Sequence, residues 1–289
     1  MMTTEAFLSL LQFTDGLFPA GAHAHSFGLE SYVEDGTVRD AAGAEGFLRA
    51  LLEGSSGPTD AVVALWAWRA GRSDDLQTCL RIDETFDAMK PAAELRNASR
   101  QMGRQVLRIA SSLADASTWH GQPAPTCRAR PDGVSAGLGR VGPGPPPEGS
   151  GPQGGQEPVL IPQAREKDGG ATTAARLVTD LFQAAESGLT PGHHPVAFGV
   201  AGSVLGWPPE ETAAAYLYST GAAVVAAALR LLPLGQLAGQ RILAGVRPLC
   251  GRLAKQARVT GPEGIWSFAP GLEIAAMRHA TLEARLFRS

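Results

Sequence analysis

Apolar residues in this chain recur at helical spacing. Leu95, Ala98, Met102, Val106, Ile109 and Leu113 step by three or four positions, which is the stripe of an amphipathic helix. The opposite positions, Glu94, Arg96, Arg100, Arg104 and Arg108, read as a solvated face. Upstream, Leu76, Cys79, Leu80, Phe86 and Met89 repeat in the same way, behind a predicted cap at Ser73 with Asp74 and Asp75 in the first turn, where carboxylates oppose the helix dipole. Thr59-Asp60 offers another cap, ahead of Ala61 to Ala70. Pro91 suits a first helical position.

The second half repeats the theme. A helix is predicted from Ala174 to Ser187, ended by Gly188, and Pro195 opens another up to Gly206. Pro208-Pro209-Glu210-Glu211 starts a long Ala-rich helix that must stop at Pro233. From Gly235 the pattern is helical again, with Pro248 forcing a kink or a break. No run alternates Val, Ile, Thr and Tyr with polar residues, and no hairpin turn separates apolar runs. The predicted architecture is all-α, a single multi-helix domain over 1–289.

The interval 121–170 breaks the pattern. Gly, Pro, Gln and Arg dominate it, with Gly142-Pro143-Gly144-Pro145-Pro146-Pro147 as the extreme. Such composition opposes regular structure, so a disordered segment is expected there. A linker between two domains and an unspliced or frame-shifted stretch are the alternatives. The equal character of the helices on both sides favours an insertion within one domain.

Composition narrows the function. Of 289 residues, 44% are hydrophobic and 18% charged, enough apolar surface for a real core. The formal net charge of -3 gives no drive toward nucleic acid or anionic lipid. Cys79, Cys127 and Cys250 are far apart and lack metal or redox spacing. With no basic leader at Met1–Glu5, a reducing, cytoplasmic setting is expected. The apolar run Ala213–Leu232 contains Tyr216, Tyr218, Ser219, Thr220 and Arg230. It reads as a buried helix, against the alternative of a membrane-associated one.

Nucleotide-binding motifs are absent, as is the GxSxG spacing of a serine nucleophile. Five histidines are the chemical candidates. His25 forms an HxH pair with His23, His193 and His194 are adjacent, and His279 lies near the C-terminus. A metal-dependent hydrolase built on His25, His193, His194 and His279 is the alternative function. A metal site needs three or four convergent ligands, and the spacing supplies none nearby. Packing or capping is the plainer role for each histidine.

Two stretches instead place Gly and Pro at element boundaries beside a few charged or amide groups, as a rigid surface for a partner protein would. Asp15, Pro19, Gly21, His25, Ser26, Gly28 and Glu30 form the first, and Arg230, Pro233, Gly235, Gln236 and Gln240 the second. LQFTDGLFPAGAHAHSFGLESYV from Leu11, ELRNASRQMG from Glu94, GHHPVAFG from Gly192, RLLPLGQLAGQR from Arg230 and MRHATLEARLFRS from Met277 resemble, in order, the blocks of the urease accessory protein UreF family. Ala24 and the extra His23 depart from the first block.

The resemblance implies an all-α fold that forms a homodimer and has no enzymatic activity of its own. It implies binding of a UreD-type (UreH-type) accessory protein and of the UreG-type GTPase, and delivery of nickel to apo-urease with regulation of the GTPase step. No cofactor is implied for this chain itself, since nickel and GTP are handled by the complex. The resemblance makes the first block and the Arg230-to-Gln240 block candidates for partner binding. It makes Arg278, His279, Arg285 and Phe287 candidates for docking the UreD-type partner.

Overall fold

The computed structural model describes residues 2–115, 173–282 and 285–288. The expectations for 121–170, including disorder, lie outside the described residues. Among the described residues the regular elements are all helical, so the all-α expectation holds. They are α1 (Thr4–Thr14), α2 (Leu29–Glu34), α3 (Ala41–Leu51), α4 (Val62–Arg72), α5 (Leu76–Ala88), α6 (Ala93–Asp115), α7 (Thr173–Glu186), α8 (His194–Val204), α9 (Pro209–Leu231), α10 (Gln236–Val259) and α11 (Pro270–His279). Short 3-10 turns cover Ala22–Ala24 and Pro262–Gly264.

Several boundaries differ from the sequence expectation; Pro91, for one, lies two residues ahead of α6 and not at its first position. α3 runs into a π-helical stretch, Leu52–Ala61, and then into α4, so no helix starts at Thr59. The wider turn tolerates Pro58, which has no N–H to give. Asp60 is buried there, accepting from Lys90 Nζ at 3.3 Å and from Tyr216 Oη at 3.3 Å. The cap of α5 is Asp75 rather than Ser73, its carboxylate accepting the Thr78 amide at 2.9 Å. α10 passes through Pro248 without a break. Its outer surface is exposed at Ala244 and Gly245, so water can reach a carbonyl the proline leaves unpaired, and Arg49 donates to the Gly245 carbonyl at 3.0 Å.

Two apolar clusters fill the interior. One gathers Leu48, Leu52, Leu65, Leu217, Val246 and Leu249 from α3, the π-helical stretch, α4, α9 and α10. The other gathers Phe86, Leu107, Leu181, Phe198 and Trp207 around α4 to α8. Side chains of this size, withdrawn from water, contribute about 1.5–3 kcal/mol each. α9 is the one helix among the described residues long and apolar enough to cross a membrane. It lies along α10, with Ala213, Leu217, Val224 and Ala228 in the core, as the buried-helix reading expected.

α4 and α8 cross at close range because Gly199 has no side chain. A Cβ on Gly199 would lie 2.0 Å from the Ala64 carbonyl oxygen. The start of α8 is fixed by polar groups. Asp83, fully buried in α5, accepts from Thr190 Oγ1 at 2.6 Å, the Gly192 amide at 2.5 Å and the His193 amide at 2.8 Å. The His193 ring bridges Ser99 Oγ at 3.1 Å and Asp87 Oδ1 at 2.8 Å, and Asp87 is also held by Arg100 at 2.5 Å. The arginine face of α6 is therefore not simply solvated. Arg100 grips Asp87, Arg96 donates to the Lys90 carbonyl and Arg104 to the Pro191 carbonyl.

Burial favours the neutral form of His193, lowering its pKa even though Asp83 and Asp87 pull the other way. One tautomer then satisfies both contacts, with Nε2–H donating to Asp87 and Nδ1 accepting from Ser99. Burial, reinforced by Lys90, pushes His194 down to about 4.

Two predictions follow from this packing. Gly199→Ala is expected to cost about 3 kcal/mol by overpacking against backbone. Gly46→Ala, in α3 with open space around it, should be neutral or stabilising by up to about 1 kcal/mol. Urea unfolding of both variants checks the pair. The second concerns pH. The unfolded chain protonates both histidines near the ordinary value of about 6.5, while the folded chain resists until lower pH. Their contribution is therefore complete above that value and falls away as pH drops toward 4. His194→Gln should flatten this dependence by up to about 3 kcal/mol, read from urea midpoints across the range.

Candidate partner-binding surface

The chain leaves α1 through Asp15, whose carboxylate turns the backbone by accepting the Leu17 amide at 2.6 Å. Asp15 and Pro19 are exposed. Gly21 adopts φ +83 and starts the 3-10 turn. His25 and Ser26 are buried, the latter accepting the Glu30 amide at 3.4 Å. Gly28 precedes α2 with φ +86, and a Cβ there would meet the Ala276 amide nitrogen at 3.3 Å. Both the left-handed backbone and the close approach of α11 require glycine. Ser31 ties the same contact by donating to the Ala275 carbonyl at 2.9 Å.

Glu30 is the centre of the arrangement. Its carboxylate is buried and accepts the Leu286 amide at 2.6 Å and the Phe287 amide at 3.1 Å. Its Oε2 also lies 2.8 Å from His279 Nε2. The other ring nitrogen of His279 lies 2.8 Å from Glu94 Oε2, and Glu94 Oε1 accepts from Arg285 at 3.0 Å. The Arg288 amide donates to the Ala24 carbonyl at 2.8 Å. Phe287 is buried, with the Arg230 guanidinium 4.5 Å from its ring centre, a cation–π contact.

The structure thus joins residues from four of the five sequence blocks: Glu30 from the first, Glu94 from the second, Arg230 from the fourth, and His279, Arg285 and Phe287 from the last. Of the candidates, Asp15, Pro19, Arg230, Pro233, Gly235, Gln236, Gln240, Arg278 and Arg285 are exposed. Gly21 is half-buried. His25, Ser26, Gly28, Glu30, His279 and Phe287 face inward, where they shape the surface from beneath. The residues from Leu272 onward, which include the docking candidates of the last block, contribute Leu272, Ala275, Ala276, His279 and Phe287 to the interior.

Glu94 is the participant that sequence reasoning missed. It stands in a run of arginines and resembles a helix-surface charge. Its partners lie 185 and 191 residues away, beyond any periodicity. The four histidines of the hydrolase alternative do not converge. His193 belongs to the α8 anchor and His279 to the Glu30–Glu94 bridge. Among the described residues no group of three His, Cys, Asp or Glu side chains is placed to hold a metal ion. His194 instead borders a cavity of about 230 Å³ between α1, α6, α9 and α11, shared with Asp60, Lys90, Tyr216 and Glu273.

The UreF family model matches residues 38–247. Urease accessory protein UreF of Azoarcus sp. (strain BH72) is 32% identical, over 98% of this chain and 95% of that protein. The protein of the same name from Cereibacter sphaeroides (strain ATCC 17029 / ATH 2.4.9) is 29% identical over 99% of this chain and its whole length. That of Nostoc sp. (strain PCC 7120 / SAG 25.82 / UTEX 2576) is 25% identical over all of this chain and 98% of the relative. A family match over most of the chain, with relatives aligned end to end, means that this chain belongs to the UreF family of urease accessory proteins.

Proposed function

We propose that this chain is a non-enzymatic maturation factor that presents binding surfaces to other accessory proteins during nickel insertion into apo-urease. A UreD-type (UreH-type) protein and a UreG-type GTPase are its partners, and it regulates the GTPase step. It works in the cytoplasm as a homodimer, with nickel as cargo and GTP bound by the GTPase. The observation that carries this reading is the joining of Arg230 to Glu30 through the C-terminal residues. Chain segments far apart in sequence are locked together beneath one surface.

Arg230 and the Pro233–Gln240 run supply an exposed cation, amides and a fixed backbone, a combination suited to specific protein recognition. The proline ends α9 and the glycine opens α10, so the side chains between them are held by two long helices. Arg278 and the exposed Met277 lie on α11, a separate helix available to the UreD-type partner.

Capture of tagged chain with a UreD-type and a UreG-type partner tests the reading directly, and failure to capture either would sink it. Arg230→Ala is expected to lower GTPase capture and urease activation about tenfold or more, as loss of an interface arginine does. Its folding stability should fall only by about 0.5–1 kcal/mol, the size of an exposed cation–π contact. Gln236→Ala should weaken the same capture. If the two side chains serve one interface, the double variant will depart from additivity by more than about 0.5 kcal/mol.

A further inference from the structure

The cavity bordered by His194 belongs neither to the Glu30 junction nor to the anchor of α8. It measures about 230 Å³. An apolar cavity of about 150 Å³ is enough to hold benzene, so this one has room for a ring carrying a short polar arm. Much of its wall is aromatic, with Phe13, Phe18, Phe27 and Tyr216 lining it. Asp15 and Gly16 at the end of α1, and Ala226 on α9, line it as well and are exposed. The cavity therefore reaches the surface beside the first sequence block.

The polar groups of the wall fall into two sets. Asp60 is committed, one oxygen accepting from Lys90 and the other from Tyr216. Lys90 is committed too, to Asp60 and to the face of Phe86, whose ring centre is 4.7 Å away. His194 and Glu273 are not. The His194 ring packs with its centre 5.0 Å from that of Tyr216 and 6.0 Å from that of Phe198. Its backbone amide donates to Ser99 Oγ at 3.3 Å, and among the described residues its ring nitrogens make no hydrogen bond. With its pKa lowered to about 4 by burial, the ring is neutral and one nitrogen carries a lone pair. Glu273 Oε2 is buried without a hydrogen-bond partner. Lys90 acts electrostatically on both His194 and Glu273, so the two stand at one end of the cavity.

A carboxylate, an imidazole lone pair and aromatic faces attract the same thing, a cation that carries N–H groups. Two carboxylates against one ammonium leave this end short of a positive charge. A bare metal ion does not fit, since among the described residues no three ligating side chains converge. We propose that the cavity is a binding site for a small organic amine in its ammonium form. Its apolar body lies among Phe13, Phe18 and Phe27, and its charged end lies toward Glu273 and His194. The site belongs to the chain alone, so it stands or falls independently of the partner reading.

Titration of the full chain with three probes of one shape tests it, followed by amide chemical shifts. The probes are phenethylammonium, phenethyl alcohol and phenylacetate. The ammonium is expected to saturate and to bind about tenfold or more tightly than the alcohol, the effect of a charge-assisted hydrogen bond. Phenylacetate should bind least. The shifted amides should include those of Ser219, Ala222 and Ala223, which line the cavity on α9. Glu273→Gln should remove most of the preference for ammonium over alcohol. Ala223→Leu, which fills part of the cavity, should weaken both probes about tenfold or more. Lack of saturation by the ammonium up to about 10 mM overturns the proposal. So does equal or tighter binding of the alcohol or of phenylacetate, a shift map that leaves out α9, or a folded Glu273→Gln or Ala223→Leu chain with unaltered binding. Should a variant not fold, the three probes and the shift map on the unmodified chain decide alone.

Discussion

The hydrogen bonds to the Glu30 carboxylate hold the ends of this chain together. Two backbone amides of the tail and one ring nitrogen of α11 converge on a single buried side chain. A carboxylate in such a place is expensive to desolvate and is stable only with its acceptor sites filled. The requirement runs in both directions. Residues 285–288 form no helix or strand, and Glu30 draws two of its hydrogen bonds from them. Gly28 makes the meeting possible by letting α11 approach the start of α2 to within contact. Removal of any one member leaves unpaired polar groups behind, at a cost of about 1–3 kcal/mol for each one buried.

A second polar cluster applies the same rule elsewhere. Asp83, His193, Ser99, Asp87 and Arg100 fix the entry into α8 without any apolar contribution from those groups. Buried ionic clusters are weak evidence for net stability, because desolvation offsets most of the attraction. Their value here is positional. Apolar helices such as α8 and α9 can slide and rotate against each other at small cost. Three donors converging on Asp83 admit one register only, and Gly199 fixes the depth at which α4 and α8 cross.

Much of the helical scaffold was legible in the sequence because it rests on local rules. Pro209 and Pro233 bracket α9, and Gly188 ends α7, through backbone constraints that act over one or two residues. The failures have equally local causes. Asp75 displaced Ser73 as the cap of α5 because all three residues of Ser73-Asp74-Asp75 are acceptable caps, and composition cannot choose among them. The π-helical passage at Leu52–Ala61 was invisible, since Pro58 in a Gly/Ser-rich run reads as a loop. The candidate surface was legible as a set of residues and illegible as an arrangement. Glu30, Arg230 and Phe287 were each marked by their blocks, but nothing local states that Phe287 lies under Arg230. Glu94 was hidden by its surroundings, its pairing being a matter of tertiary approach across nearly two hundred residues.

The division between buried and exposed members of the blocks bears on how such a protein works. A residue that acts at an interface must be open to solvent in the free chain, and Arg230, Gln236 and Gln240 are exposed. A residue such as His279 or Ser26 is fully enclosed and can influence a partner only through the shape it enforces. Small shifts beneath a packed surface are transmitted because protein interiors resist compression. The C-terminal residues occupy the junction of these two classes. Phe287 faces inward while its neighbours Leu286 and Arg288 face solvent, so the same short stretch is both part of the interior and part of the surface. A surface assembled in this way depends on the closure of the chain upon itself, through the amides that Glu30 accepts and the ring that lies under Arg230.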